Sequence, residues 1–218
     1  MGDSPRIRSL AEAKIDAIRD PDLIETRRTQ ILDASLALFL EKGFASTTIR
    51  DIAARSGVNQ ASIYDYVANK QDILRRLLNR TWLADDRSTL DAYLGPLREA
   101  ADVHAVLREY IRANWRNGRA DLQLIYRVAP HLSEEDERTV VENADASIEA
   151  LAASVASRLG VDGGTERAKI IANLMIYMLS FGPLRDWSYE GIEEEKVIEI
   201  CAEAGAAIMS LMLKPDDG

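Results

Sequence analysis

Apolar residues along this chain recur at helical spacing, and no segment alternates convincingly at a period of two, so the pattern predicts an all-α protein without a sheet. Ile31, Leu32, Ala34, Leu38 and Phe39 mark one face of a first helix, which Gly43-Phe44 closes. Thr47 and Thr48 offer hydroxyls to the orphan N–H groups of a second helix start, within which Ile49, Ile52 and Ala53 face a core. Gly57 supplies the backbone angles of a tight turn, Asn59 caps a short third helix, and Ile63 is its inward aliphatic. Two short helices cross closely only with a small side chain at the crossing and glycine in the turn, as Ala53 and Gly57 provide. Thr47 to Lys70 therefore reads as a DNA-reading helix pair; the alternative is an ordinary helical hairpin in a larger core.

Around this pair the punctuation divides the chain into 1–24, an N-terminal extension; 25–70, a helix-turn-helix domain; and 71–218, a helical effector-binding and dimerisation domain. In the extension, Ser9 to Arg19 reads as a short helix ended by Asp20-Pro21. Arg6 and Arg8 suit an arm lying along a DNA groove, with a disordered or dimer-packing tail as the alternative. A fourth helix starts near Asn69 and runs towards Leu90. After Gly95-Pro96, helices are expected near 102–117, 121–129, 134–159, 165–182 and 193–213. Gly118, Pro130, Gly160 with Gly163-Gly164, and Gly182-Pro183 separate them. Ser133-Glu134-Glu135-Asp136 opens one of these helices with acids that complement its dipole.

Composition changes this picture in two ways. The chain has 218 residues, 47% of them hydrophobic, yet no apolar run of eighteen or more. With a charged N-terminus and no secretory segment, no membrane contact and a cytoplasmic location are expected. The net charge of −9 looks wrong for a DNA binder until it is divided: residues 25–80 carry +3, residues 1–24 carry −1, and the remainder −11. A locally positive module still holds phosphates, while the acidic body keeps the protein off non-specific DNA. Cys201 is the one cysteine and reads as a small core residue. His104 and His131 are the only histidines, and neither has metal-ligand spacing; no phosphate loop or nucleophile elbow occurs. No enzyme activity, no cofactor and no metal are expected.

Arg27 to Leu74, RRTQILDASLALFLEKGFASTTIRDIAARSGVNQASIYDYVANKQDIL, resembles the N-terminal domain of the tetracycline-repressor (TetR) family of transcriptional regulators. The first-helix apolars, Gly43-Phe44, the Thr-Thr start, Ile52-Ala53, Gly57-Val58, Ile63-Tyr64-x-Tyr66 and Lys70 stand in matching order. Val67 departs from the usual Phe, and Asp65 stands where a neutral or basic residue is commoner.

By its chemistry, Gln60 is the best base-edge reader, since an amide donates and accepts at adenine at once. Asn59 is both cap and contact, Ala61 is small enough to meet a thymine methyl, and Ser62 and Tyr64 carry hydroxyls suited to phosphates. The resemblance implies that Tyr64 and Lys70 hold phosphates and that Thr48 and Arg50 are second-helix contacts. It also implies that the last two helices pair with their symmetry mates in a homodimer. The stripe for this is Ile170, Leu174, Met178, Val197, Cys201, Ala204, Ile208 and Leu211. An effector pocket is expected from Tyr110, Trp115, Leu122, Tyr126, Met175, Tyr177, Phe181 and Trp187, with Arg127, Asn173 and Arg185 as polar anchors; ordinary core aromatics are the alternative. Leu124 to Arg138 and Phe181 to Trp187 look like stretches of TetR-like regulators of lipid and aromatic-acid breakdown, some of which respond to acyl-coenzyme A. The expectation is a repressor that binds double-stranded, palindromic operator DNA as a homodimer. A small acidic apolar effector, an aromatic or fatty acid or its acyl-CoA, would release it. An effector-independent architectural or cell-division DNA binder on the same fold is the alternative.

Overall fold

The computed structural model describes residues 7–81 and 103–214. Within them every regular element is helical: α1 (Pro21–Lys42), α2 (Ile49–Ser56), a 3₁₀ turn (Ser62–Asp65), α3 (Lys70–Thr81), α4 (Val103–Ala113), a wider π-type turn (Asn114–Gly118), α5 (Arg119–Val128), a 3₁₀ turn (Ala129–His131), α6 (Glu134–Leu159), α7 (Glu166–Leu184), a 3₁₀ turn (Asp186–Ser188), α8 (Glu194–Ser210) and a last 3₁₀ turn (Leu211–Leu213). The all-α class expected from periodicity is the class observed, and α6 has the predicted bounds. The expected arm residue Arg6, the run of the fourth helix to Leu90 and the Gly95-Pro96 break lie outside the described residues. The described chain forms two compact units, one of 8–81 with 123–140, the other of 103–122 and 141–214 with Ile7. Residues beyond the 25–70 span anticipated for the DNA module thus pack with it.

In the first unit, α1 buries Ile31, Leu32, Ala34, Leu38 and Phe39, the face its spacing marks, against the fully buried Ile52, Ile63, Ile73, Leu74 and Leu77. Each such side chain contributes about 1.5–3 kcal/mol relative to exposure. The expected helix over Ser9–Arg19 is absent, because α3 side chains take the segment's backbone groups in place of helical partners. Asn79 accepts from the Leu10 N–H at 2.7 Å and donates to the Leu10 carbonyl at 3.0 Å. Asp72 accepts from the Ala13 N–H at 2.8 Å, and Arg76 donates to the Ala13 carbonyl at 2.6 Å. The strap is anchored by Leu10, only 4% exposed, and by the Arg76–Glu12 ion pair at 2.6 Å. Asp20-Pro21, expected to end a helix, begins one instead: the Asp20 carboxylate accepts from the N–H groups of Asp22 and Leu23, with proline at the first turn.

In the second unit, Leu107 and Ile111 of α4, Leu151 and Val155 of α6, Ala172 and Met175 of α7, and Ile198, Cys201 and Ala202 of α8 share one core. Gly182 is a requirement of this packing: a Cβ there would collide with the Trp115 ring. The stripe expected between subunits divides. Val197 and Cys201 are buried within the chain, whereas Ile170 and Leu174 are exposed. The reason is that α7 is apolar on nearly every side, so periodicity alone does not say which side meets its own chain.

Candidate nucleic-acid interface

The Thr48 hydroxyl caps α2 by accepting from the Asp51 N–H, and the Asp51 carboxylate returns a bond from the Thr48 N–H at 2.8 Å, closing a capping box. Lys42 lies 2.6 Å from the same carboxylate, and its hydrogen bond holds Asp51 well below the usual carboxylate range. Arg50, in the first turn of α2, is exposed and has no ion pair among the described residues. Gly57 ends α2 in the left-handed region at φ 71°, a conformation that costs a side chain with a Cβ. Asn59 accepts from the Ala61 N–H at 2.9 Å through its side chain, and its carbonyl takes the Ser62 and Ile63 N–H groups. The cap function expected of Asn59 is therefore observed. The element it starts is a 3₁₀ turn rather than a short α-helix.

This turn sorts its side chains cleanly. Ile63 and Val67 are fully buried and Tyr66 is 6% exposed, while Gln60 and Ala61 are exposed and Tyr64 is 52% exposed. Ser62 is half-buried. Arg28 of α1 donates to the Tyr66 carbonyl at 3.0 Å and so fixes the end of the turn. The outward row of Gln60, Ala61 and Tyr64 stands on a rigid support.

Lys70 holds a different position from the one a free phosphate contact needs. Its ammonium group donates to the carbonyls of Phe44 at 2.8 Å, Ala45 at 3.3 Å and Thr47 at 2.9 Å. It also lies 4.5 Å from the Phe44 ring centroid, and burial lowers its pKa. An ammonium has three donors, and all three have acceptors here. His131 stacks with the Phe44 ring at 5.2 Å. Sequence reasoning missed the contacts of 127–136 with α1 and α3. Arg127 donates to the Leu40 carbonyl, Gln71 to the His131 carbonyl at 3.0 Å, and Arg75 to both oxygens of the buried Asp136 at 2.9 Å. Nothing in local spacing marks such pairs, which lie far apart in the chain.

The residues expected to line a pocket divide between the two units, Tyr126 and Arg127 in the first and the others in the second. Tyr110 and Trp115 are half-buried beside the core of the second unit. Asn173, Tyr177, Phe181 and Arg185 are exposed, and Trp187 is 70% exposed with the Arg185 guanidinium 4.8 Å from its ring. Tyr126 is exposed, and Arg127 is engaged with α1. A cleft of about 260 Å³ lies instead among Val161, Asp162, Thr165, Arg167, Ala168 and the 212–214 turn.

A family profile described as "Bacterial regulatory proteins, tetR family" matches residues 31–77. The HTH-type transcriptional regulator HbdR of Aromatoleum sp. (strain CIB) is 44% identical over 66 residues, 30% of this chain and 29% of that protein. The HTH-type transcriptional repressor KstR2 of Rhodococcus jostii (strain RHA1) is 36% identical over 98 residues, 38% of this chain and 48% of that one. The matches to curated relatives thus span between about a third and a half of their length. Among solved structures, a TetR-family regulator from Syntrophomonas wolfei shares the fold at TM-score 0.60 and 24% identity, over 87% of this chain and 96% of that one. AibR, solved with isovaleryl coenzyme A and operator DNA, does so at TM-score 0.63 and 17% identity, over 87% and 99%. The matched residues 31–77 are those of the capped, glycine-turned helix pair described above, and over this span the chain is similar to the DNA-binding segment of the tetR family of bacterial regulatory proteins.

Proposed function

We propose that the protein is a DNA-binding transcriptional repressor that reads a palindromic operator as a homodimer. The observation that carries this reading is the exposed row of Gln60, Ala61 and Tyr64 on the Asn59-capped turn, flanked by Thr48 and the unpaired Arg50. Gln60 reads a base edge, Ala61 a thymine methyl, and Asn59, Ser62, Tyr64, Thr48 and Arg50 meet the backbone. Lys70 acts on DNA through the turn it clamps. Dimerisation is supported by Ile170, Leu174, Tyr177 and Phe181 on one exposed face of α7, at spacings of four, three and four. Residues 25–70 are assigned to DNA reading and 71–218 to dimerisation and effector binding.

The effector in this reading is a small acidic apolar compound, an aromatic or fatty acid or its acyl-CoA. Support comes from the Arg185 guanidinium beside the Trp187 ring and from the half-buried aromatic residues Tyr110 and Trp115. The shared fold with AibR, solved with isovaleryl coenzyme A, and with the fatty acid degradation regulator FadR of Bacillus halodurans points to the same class. The packing of Trp115 onto Gly182 favours a second reading, an effector-independent DNA binder with a filled back half. A thermal-shift and operator-release screen with fatty acids, aromatic acids and their thioesters separates them. Release by an acidic apolar compound, blunted in Arg185→Ala, supports the first reading; release by cationic compounds alone overturns the acidic effector, and release by none supports the second.

A further inference from the structure

A ladder of charge runs along the α4–α8 contact and its last rung differs in kind. Arg116 faces Glu194 and Glu195, Arg112 forks onto Glu195 at 2.6 Å, and Arg108 lies 3.4 Å from Glu199. One turn before Arg108 on α4 stands His104, opposite Glu199 and Glu203, which are four residues apart on one face of α8. The ligand atoms of these three residues all lie within 4.8 Å of one another. The His104 Nε2 atom is buried and has no hydrogen-bond partner, although Glu199 Oε1 is 3.5 Å away. Arg108 engages the other oxygen, Oε2, leaving Oε1 turned towards the imidazole.

We propose that His104, Glu199 and Glu203 form a binding site for a divalent first-row transition ion, with Zn²⁺ the best match. Bonds of about 2.0–2.2 Å in a tetrahedral set place neighbouring ligand atoms about 3.3–3.6 Å apart. The His104–Glu199 separation of 3.5 Å is already close to this. Glu203 is exposed, and its ligand atom lies within 4.8 Å of the other two. Two carboxylates and one imidazole suit Zn²⁺ over Mg²⁺ or Ca²⁺, which favour all-oxygen surroundings. Solvent supplies the fourth ligand. Arg108 orients Glu199 through the oxygen that the ion does not use and offsets part of the local negative charge. A three-residue set drawn from two helices has no sequence signature, which is why histidine spacing gave no sign of it.

The test is calorimetric titration of the chelator-treated, full-length protein with Zn²⁺ at neutral pH, with Mg²⁺ as comparison. One Zn²⁺ per chain is expected, with binding weakened at least about tenfold in both His104→Ala and Glu203→Gln and unchanged in His131→Ala. Glu203→Gln changes only an exposed side chain, so a fold defect does not obscure it. Co²⁺ should develop visible d–d absorption in the wild type and lose it in His104→Ala. No saturable Zn²⁺ binding, or binding that His104→Ala leaves intact, overturns the proposal.

Discussion

Two polar residues, one on the Asn59-capped turn and one at the start of α3, make opposite demands on an experiment. Gln60 is exposed and supports nothing else in the described structure, so Gln60→Ala should leave the melting temperature unchanged. It should cost about 1–3 kcal/mol at one base position per half-site and relax preference there; competition between operator variants measures this. Lys70 is the reverse, since its ammonium ties three carbonyls ahead of α2. Lys70→Ala should destabilise the module by about 1.5–3 kcal/mol, the usual value of hydrogen bonds to a charged group. Urea unfolding that leaves stability intact while DNA affinity falls would return Lys70 to a plain phosphate contact. The difference between the two was only half legible in the sequence. Gln60 follows from the cap at Asn59 and the inward Ile63, which are local. Lys70 meets carbonyls some 25 residues away that no spacing rule places beside it.

At the scale of elements, α3 holds more than its own apolar stripe implies. Asp72 is 2% exposed and accepts from Ala13, Ala68 and the buried Arg76. Asp72→Ala leaves a buried guanidinium short of its partner, so a loss of about 3–5 kcal/mol is expected in denaturant unfolding. Deleting residues 1–19 should weaken the same unit by exposing α3, an effect that a free DNA-seeking arm would not produce. The amphipathic pattern of α1 and the caps of α2 were legible because each lies within a few residues. The strap was not: Ser9 to Arg19 has fair helical composition, and long-range bonds from Asn79, Asp72 and Arg76 override it. The α2 cap carries a pH dependence. The Asp51 carboxylate is depressed first by its bond to Lys42, so its stabilisation is complete above the ordinary carboxylate value of about 3.9. It is lost as pH falls below that value through the depressed one, and Asp51→Asn should flatten the acid limb of unfolding. On α7, Leu174→Arg places charge in the middle of the exposed apolar face, and sedimentation should show dissociation to monomers.

The molecule as a whole combines a net charge of −9 with a locally positive span over 25–80, the span that the proposed reading assigns to DNA. The all-α class was readable from periodicity, a local property, whereas the break expected at Gly118 is not observed, since α4 runs through the π-type turn directly into α5. The allocation of aromatic residues between core, surface and effector site was not readable, because Trp115 and Trp187 look alike in sequence and differ in what packs on them. The central claim is that two copies of this turn read one symmetric site, since a two-fold dimer must read inverted half-sites. Selection of bound duplexes from a random pool, run with wild type and Gln60→Ala, tests it most directly. The expected result is an inverted repeat with half-sites about one helical turn or somewhat more apart, relaxed by Gln60→Ala at one symmetry-related pair of positions. An enriched site without dyad symmetry, or a preference that Gln60→Ala leaves unaltered at every position, would contradict it.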